Sequence, residues 1–241
     1  MPRTNQKWTV VLPCHNKAGW IGKSVRRTAE ILERVEHSTI LIVENGSSDS
    51  SRQEIEALPA RLGSTEIKKQ YLNEAGQGRA FRSAVDSIDG DWVVLGSADL
   101  PFGTTDLENY LNEITHCIRE RVLAASKLHP SSRIHRKLHR RLMTHSHAWL
   151  RWALFQSRVR DTQSTQCYPT ELLRRMVPHV LSDSFFFRAE LLLMCEKRGV
   201  EIVEVPVSLT LPESPTTVRI FSDSLQYLRE LLSLRLRLAA N

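Results

Sequence analysis

Apolar positions follow two rhythms along this chain. Short solid runs, "WTVVLPC" (8–14), "STILIVE" (38–44) and "DWVVLGSAD" (91–99), are rich in valine and isoleucine and barely alternate. That pattern predicts strands covered on both faces. "STEIKKQYLN" (64–73) alternates more and predicts a strand nearer an edge, and "RVLAASK" (121–127) predicts a fifth strand. Between them, apolar residues at helical spacing predict helices over 20–35, 78–87 and 106–118. Strands alternating with helices of this length predict right-handed crossovers and an α/β fold with a mostly parallel central sheet flanked by helices. Ligands of such sheets gather at the carboxyl ends of the strands. The strands ending at Cys14, Glu44 and Asp99 each run into polar or turn-forming residues, so those three ends are the candidate site.

Beyond residue 127 the pattern changes. From Arg121 to Arg160 there are ten Lys or Arg, five His and no Asp or Glu. Ile134, Leu138, Leu142, Trp149 and Trp152 keep a roughly helical spacing, which predicts a basic amphipathic helix with its tryptophans buried. A helix over 186–197, a strand over 200–209 and an amphipathic helix over 222–238 follow. With no repeat and no linker-like stretch, one domain over 1–241 is expected, its halves meeting at residues 127 and 128.

Composition narrows the partners. The net charge of +6 favours anionic ligands. The basic stretch carries no nucleic-acid recognition motif, so nucleic acid is not expected. Cys14, Cys117, Cys167 and Cys195 form no C-x-x-C pair, which predicts reduced thiols in a cytoplasmic protein. No apolar run is long enough to span a bilayer and none marks a leader. Contact is therefore expected to be peripheral at most, at the inner face of the membrane. His135 and His139 stand four apart on a predicted helix, but no carboxylate or cysteine nearby completes a metal site.

Four stretches carry a resemblance when taken in order: "VVLPCHN", "IVENGSSDSS", "NEAGQGRAFRSAV" with "GDWVVLGSADLPFG", and "VRDTQ" followed by "EVPV". Together, over roughly residues 8 to 210, they resemble the inverting family 2 glycosyltransferases of GT-A fold. The subgroup they look most like is the polyprenyl-phosphate (dolichyl-phosphate) mannosyl- and glucosyltransferases. The resemblance implies a Rossmann-like nucleotide-sugar-binding half over 1–127 and an acceptor-binding half with a C-terminal helix over 128–241. "PCHN" stands where the family has P-x-x-N, implying donor contacts for Pro13, His15 and Asn16. "ENGSSD" stands for D-D-G-S-x-D, implying base and ribose contacts by Glu44, Asn45 and Gly46, although Asp49 and its serine neighbours also suit a helix cap. "GQGRAF" lacks the third glycine of a dinucleotide fingerprint. Its Gly76 and Gly78 are expected to offer amides to phosphate, with Arg79 beside them. "SADLPFG" stands at the D-x-D metal motif, implying donor contacts for Ser97, Ala98 and Asp99 and a Mg2+ or Mn2+ ion on Asp99.

The acceptor side is implied to include Lys127, Arg133, Arg140, Gln163 and Arg219, with Asp99 and Asp161 as the candidate catalytic carboxylates. "FFFRAELLL" matches where the family sets a glutamate before an apolar helix, giving Glu190. The chain departs from the family's acidic residues in three places: Lys17 follows the asparagine, Glu44-Asn45 replaces two aspartates, and Ser97 replaces the first metal aspartate. A lysine near the diphosphate would compensate for a weaker metal. An acceptor phosphate is already anionic and needs cationic positioning, whereas a hydroxyl needs a carboxylate base. The basic stretch favours a lipid-phosphate acceptor for a UDP- or GDP-sugar. The alternatives are a soluble sugar or secondary-metabolite acceptor with Asp161 as base, and a non-catalytic basic binding protein on a degenerate version of the fold.

Overall fold

The computed structural model describes residues 4–115, 120–134, 138–208 and 220–240. In chain order the first half holds β1 (Thr4–Cys14), α1 (Ile21–Leu32), β2 (Val35–Asn45), α2 (Ser51–Glu56), β3 (Arg61–Leu62), β4 (Thr65–Leu72), α3 (Gln77–Ala84) and β5 (Trp92–Leu95). The second holds α4 (Thr105–Thr115), β6 (Arg121–Ser126), α5 (Leu138–Phe155), β7 (Gln166–Pro169), α6 (Thr170–Met176), α7 (Phe187–Lys197), β8 (Glu201–Pro206) and α8 (Ile220–Ala240).

The eight strands form one sheet in the order β3-β4-β2-β1-β5-β7-β6-β8. β4, β2, β1 and β5 run parallel, as do β6 and β8. β7 lies antiparallel between β5 and β6, and the two-residue β3 is antiparallel to β4. The mostly parallel α/β sheet expected from the apolar runs is therefore present, with β7 as a strand that the sequence pattern does not announce.

Strand order reverses at β1, which has β2 on one side and β5 on the other. The crevice beyond the carboxyl ends of these strands is where a parallel sheet takes a ligand. Alternation within the solid runs splits the core into two layers. Val10, Leu12, Ile40, Ile42 and Val94 pack under α1 and α4. Val11, Leu41, Val43, Val93 and Leu95 pack under α3 and α7. Covered on both sides, the strands need no polar face.

α5 corrects one expectation. Trp149 and Trp152 are 62% and 55% exposed. The inward stripe instead runs through His147, Arg151 and Phe155, one helical turn apart. His147 stacks on Tyr227 of α8 at 4.2 Å between ring centres, and Arg151 donates to the Tyr227 hydroxyl at 2.8 Å. Burial, followed by the charge of Arg151, lowers the His147 pKa to about 4, so the imidazole is neutral in the α5–α8 seam. No helix among the described residues is long and apolar enough to cross a membrane. His135 and Cys117 lie outside the described residues, as does the side chain of His139; Cys14, Cys167 and Cys195 are free and buried.

Candidate active site

The ends of β1, β2 and β5 meet at one rim. Cys14 stands beside Glu44 in the register of β1 and β2, and the Gly96 amide just beyond β5 donates to the Val11 carbonyl. The loop after β1 is knitted to the turn after β2. His15 Nδ1 bonds the Asn45 carbonyl at 3.0 Å, the Asn16 amide donates to Ser47 Oγ, and Asn16 Oδ1 accepts from the Ser48 amide at 2.8 Å. Asp49 accepts from the amides of Ala18 and Ser51, which ties this loop to the start of α2. Gly46 sits at φ +68°, and a Cβ there would stand 3.0 Å from the Asn73 carbonyl oxygen, so the turn tolerates little but glycine.

Several residues expected to face the donor are turned to internal work. Glu44 is 2% exposed and accepts from the Ser47 amide at 2.6 Å, closing its own turn. Asn45 is 3% exposed. In the amide orientation that satisfies both its atoms, it donates to the Cys14 carbonyl and accepts from the Gly76 amide at 3.1 Å. Pro13 and Ala98 are buried in the rim itself. His15, Asn16, Gly46, Ser47 and Ser48 remain at least partly exposed at this end.

Gly76 and Gly78, at the start of α3, stand close against the backbone of the loop before α7. Gly78 donates to the carbonyls of Asp183 and Ser184, and the Arg79 amide donates to Asp183 as well. The amides expected to meet phosphate thus already have partners in the loop before α7. Arg79 pairs with Glu74, and with Asp183 at 3.5 Å, on the outer side of that contact. Glu190 accepts from the amides of Leu181 and Ser182 and pairs with Arg237 at 2.5 Å, which fastens α8 to the same loop.

Asp99 is held in a compact turn. Ser97 Oγ donates to its Oδ1 at 2.6 Å, and Lys17 Nζ meets its Oδ2 at 3.0 Å. Both side chains of that ion pair are 20% exposed. Leu100 follows at φ +41°, a conformation that a branched side chain seldom adopts, so the turn is held against a local cost. Phe102 closes the turn, and Lys127 Nζ lies 5.6 Å from its ring centre. That contact joins the Asp99 turn to a second charged pair.

The second pair is Lys127 with Asp161. Lys127 Nζ lies 2.7 Å from Asp161 Oδ2, with the two side chains 11% and 2% exposed. The Lys127 amide and Ser164 Oγ also donate to Oδ2, and the Gln163 amide donates to Oδ1. Burial alone would raise the Asp161 pKa, but the Lys127 charge and these hydrogen bonds reverse it and hold the carboxyl far below the usual range. A carboxylate so engaged orients a lysine and is a poor proton acceptor. Gln163 Nε2 is buried without a partner beside it. Next to Lys127 opens a cavity of about 320 Å³ lined by His129, Ser132, Ile134, Thr144 and His145.

Of the other acceptor candidates, Arg133 is exposed and its backbone bridges to Ser208 at the end of β8. Arg219 and the Arg140 side chain lie outside the described residues. Arg188 lies outside the motifs that mark the site. It is 7% exposed, donates to the Ser164 carbonyl and Gln77 Oε1, and sits in the fields of Asp161 and Asp99. The one signal in the sequence was a lone arginine inside the apolar run "FFFRAELLL".

Comparison with known proteins identifies the family and the fold. The model of "Glycosyl transferase family 2" matches residues 9–178. Among curated proteins, glycosyltransferase AglD of Haloferax volcanii is 26% identical over 225 residues, covering 90% of this chain and 35% of its own length. A dolichyl-phosphate beta-glucosyltransferase of Dictyostelium discoideum is 24% identical over 209 residues, covering 82% of this chain and 62% of its own length. The chain therefore spans between a third and two thirds of these relatives. Among solved structures, glucosyl-3-phosphoglycerate synthase of Mycobacterium tuberculosis, in complex with Mn2+, UDP and phosphoglyceric acid, superposes with a TM-score of 0.73 at 18% identity. It is covered to 78% and covers 95% of this chain. That likeness is one of fold, the GT-A architecture that the motifs implied. With the family model spanning most of its length, this chain belongs to glycosyl transferase family 2.

Proposed function

We propose that the chain carries the catalytic unit of a hexosyltransferase that moves a sugar from UDP-sugar or GDP-sugar, with inversion, to an acceptor that already bears a phosphate. A polyprenyl phosphate is the first choice. The carrying observation is the Lys127–Asp161 pair, buried beside the Asp99 turn and bordering a cavity that also presents His129 and His145.

In an inverting transfer the acceptor oxygen attacks the anomeric carbon as the bond to the diphosphate breaks on the opposite face. The donor end is read here as the loop of His15 and Asn16 with the turn of Gly46 to Ser48. Lys17 and the Asp99 turn stand where the diphosphate would leave. Lys127, fixed by Asp161, meets the acceptor phosphate. An anionic acceptor needs orientation and no proton acceptor, which suits a site whose second carboxylate is locked to a lysine. The same locking disfavours a neutral hydroxyl acceptor with Asp161 as base.

Support for a lipid comes from two sides. One relative is a dolichyl-phosphate glucosyltransferase, and α5 exposes Trp149 and Trp152 beside the His145 face that lines the cavity. Tryptophans of this kind settle at the level of lipid headgroups, so contact with the membrane surface is part of the proposal.

A divalent cation belongs to the reading because the solved relative holds Mn2+ with UDP. Among the described residues no group of three or more His, Cys, Asp or Glu is placed to hold a metal. Asp99 is the protein ligand on offer, and Lys17 already shares it. The residues alone do not build a metal site; a metal here would rest mainly on phosphate oxygens.

The test is release of nucleoside diphosphate from UDP-glucose or GDP-mannose with farnesyl phosphate, compared with 3-phosphoglycerate and free glucose. Release that depends on the polyprenyl phosphate, with a glycosyl-phosphate product by mass spectrometry, is expected. Turnover with free glucose equal to that with farnesyl phosphate would overturn the acceptor assignment.

A further inference from the structure

Arg188 is a cation with an unusual address. It lies in the first turn of α7, 7% exposed, with Cζ 5.8 Å from the centre of the Phe81 ring. Its Nη1 donates to the Ser164 carbonyl and its Nη2 to Gln77 Oε1, each at 3.2 Å, while Nε is buried without a partner. Among the described residues no carboxylate stands within ion-pair distance of it. Asp161 and Asp99 act on it only through their fields. Burial lowers its pKa and those two carboxylates push back; a guanidinium stays charged in either case.

A buried charge without a paired counter-charge is costly, and buried charges are ordinarily paired. Its two neutral partners are long hydrogen bonds from the two ends of the site. Gln77 opens α3 next to Gly76, which bonds Asn45 at the donor turn. Ser164 bonds Asp161 and Lys127 at the acceptor end. Arg188 therefore lies under the seam between the donor loops and the acceptor cavity. In that seam a sugar bonded to a diphosphate would have to sit.

We propose that Arg188 is a binding residue for a phosphate group at this seam, and that the group is the diphosphate of the nucleotide sugar. The proposal rests on the glycosyltransferase reading above. It resolves the thinness of the metal site. With one aspartate at the Asp99 turn, already shared with Lys17, the negative charge that grows on the leaving diphosphate is offset by Lys17 on one side and Arg188 on the other. A guanidinium fork suits phosphate oxygens better than an ammonium does. The chemistry is neutralisation of a leaving group, with the electron pair of the glycosidic bond passing to the phosphate oxygen and no proton transferred by Arg188.

Calorimetric titration of the whole chain with UDP, UMP and uridine, with and without Mn2+, tests it in wild type, Arg188→Gln and Arg188→Lys. Repeating the series with GDP, GMP and guanosine covers the other base. In wild type the diphosphate should bind tighter than the monophosphate even in EDTA. Losing charge-assisted hydrogen bonds should cut the diphosphate advantage about 10- to 100-fold in Arg188→Gln, leave the monophosphate affinity near wild type, and be partly restored in Arg188→Lys. Monophosphate binding at wild-type strength also shows that a variant is folded. Should Arg188→Gln not fold, Arg188→Lys must still show a reduced diphosphate-to-monophosphate ratio. An unchanged ratio in the folded variants overturns the proposal while leaving the glycosyltransferase reading intact. A loss seen only in competition by farnesyl phosphate or inorganic phosphate moves Arg188 to the acceptor and overturns the donor assignment. Failure of wild type to bind any of these nucleotides overturns both.

Discussion

Lys127→Met is expected to abolish sugar transfer and to lower stability by about 3 kcal/mol at pH 7, the scale for removing one partner of a buried ion pair. Asp161 is 2% exposed, and in this variant it keeps its hydrogen bonds from Ser164, Gln163 and the backbone of residue 127 but loses its cation. The pH dependence has a definite sign. In wild type the carboxyl titrates far below its unfolded value, so its contribution is present above pH of about 4 and is lost only in stronger acid. Without Lys127, burial, the largest influence on this carboxyl, loses its main opponent and the folded pKa moves up. Protonation then relieves the stranded charge, so the penalty of the variant should shrink as pH falls from 7 toward 4 and below. Urea melts at the two pH values check this. Lys127→Met/Asp161→Asn should recover much of the stability and none of the activity, because it removes the stranded charge without restoring the cation. A double variant that transfers sugar at the wild-type rate would separate the pair from the chemistry.

Gly78→Ala is expected to destabilise the chain by about 2–3 kcal/mol, the upper part of the range for overpacking, without weakening nucleotide binding in the protein that remains folded. A Cβ at this position would stand 2.6 Å from the Ser182 carbonyl oxygen, 2.8 Å from Phe187 Cβ and 2.9 Å from the Asp183 carbonyl carbon. Two of those atoms are backbone and the third is a Cβ, so none swings aside. To accommodate the methyl, α3 must lift off the loop over 182–184, breaking the hydrogen bonds that the Gly78 and Arg79 amides donate to that loop. Thermal melting and UDP titration together check it. Normal stability with lost diphosphate affinity would reinstate this glycine as a phosphate contact.

That contrast shows how far local sequence carries. The solid runs at β1, β2 and β5 each register burial on both faces, and the position of each in the chain reports a parallel crossover. Their carboxyl ends were therefore legible as one rim of the sheet. β7 was not, because its four residues follow the polar "DTQST" and carry no period long enough to detect. The amides of Gly78 and Arg79 find their partners in a loop roughly a hundred residues later, and no local pattern reports a partner at that distance. Glu44 and Asn45 were legible as residues at a strand end, but a strand end does not tell which way a side chain turns. Arg151 claimed the inward stripe of α5 that the hydrophobic count had given to the tryptophans. Its partner is the Tyr227 hydroxyl, so a charged residue sits where apolarity predicted an aromatic one.

One rim of the sheet, bounded by His15, Ser47, Lys17, Asp99 and Arg188, is held to accept a nucleoside diphosphate. Thermal unfolding of the whole chain with UDP and with GDP, each at about 100 times its Kd, is the direct measurement. One of them should raise Tm by about 5–10 °C, and the corresponding nucleoside at the same concentration should raise it far less. A Tm unmoved by both diphosphates across the accessible concentration range would contradict the account at its centre.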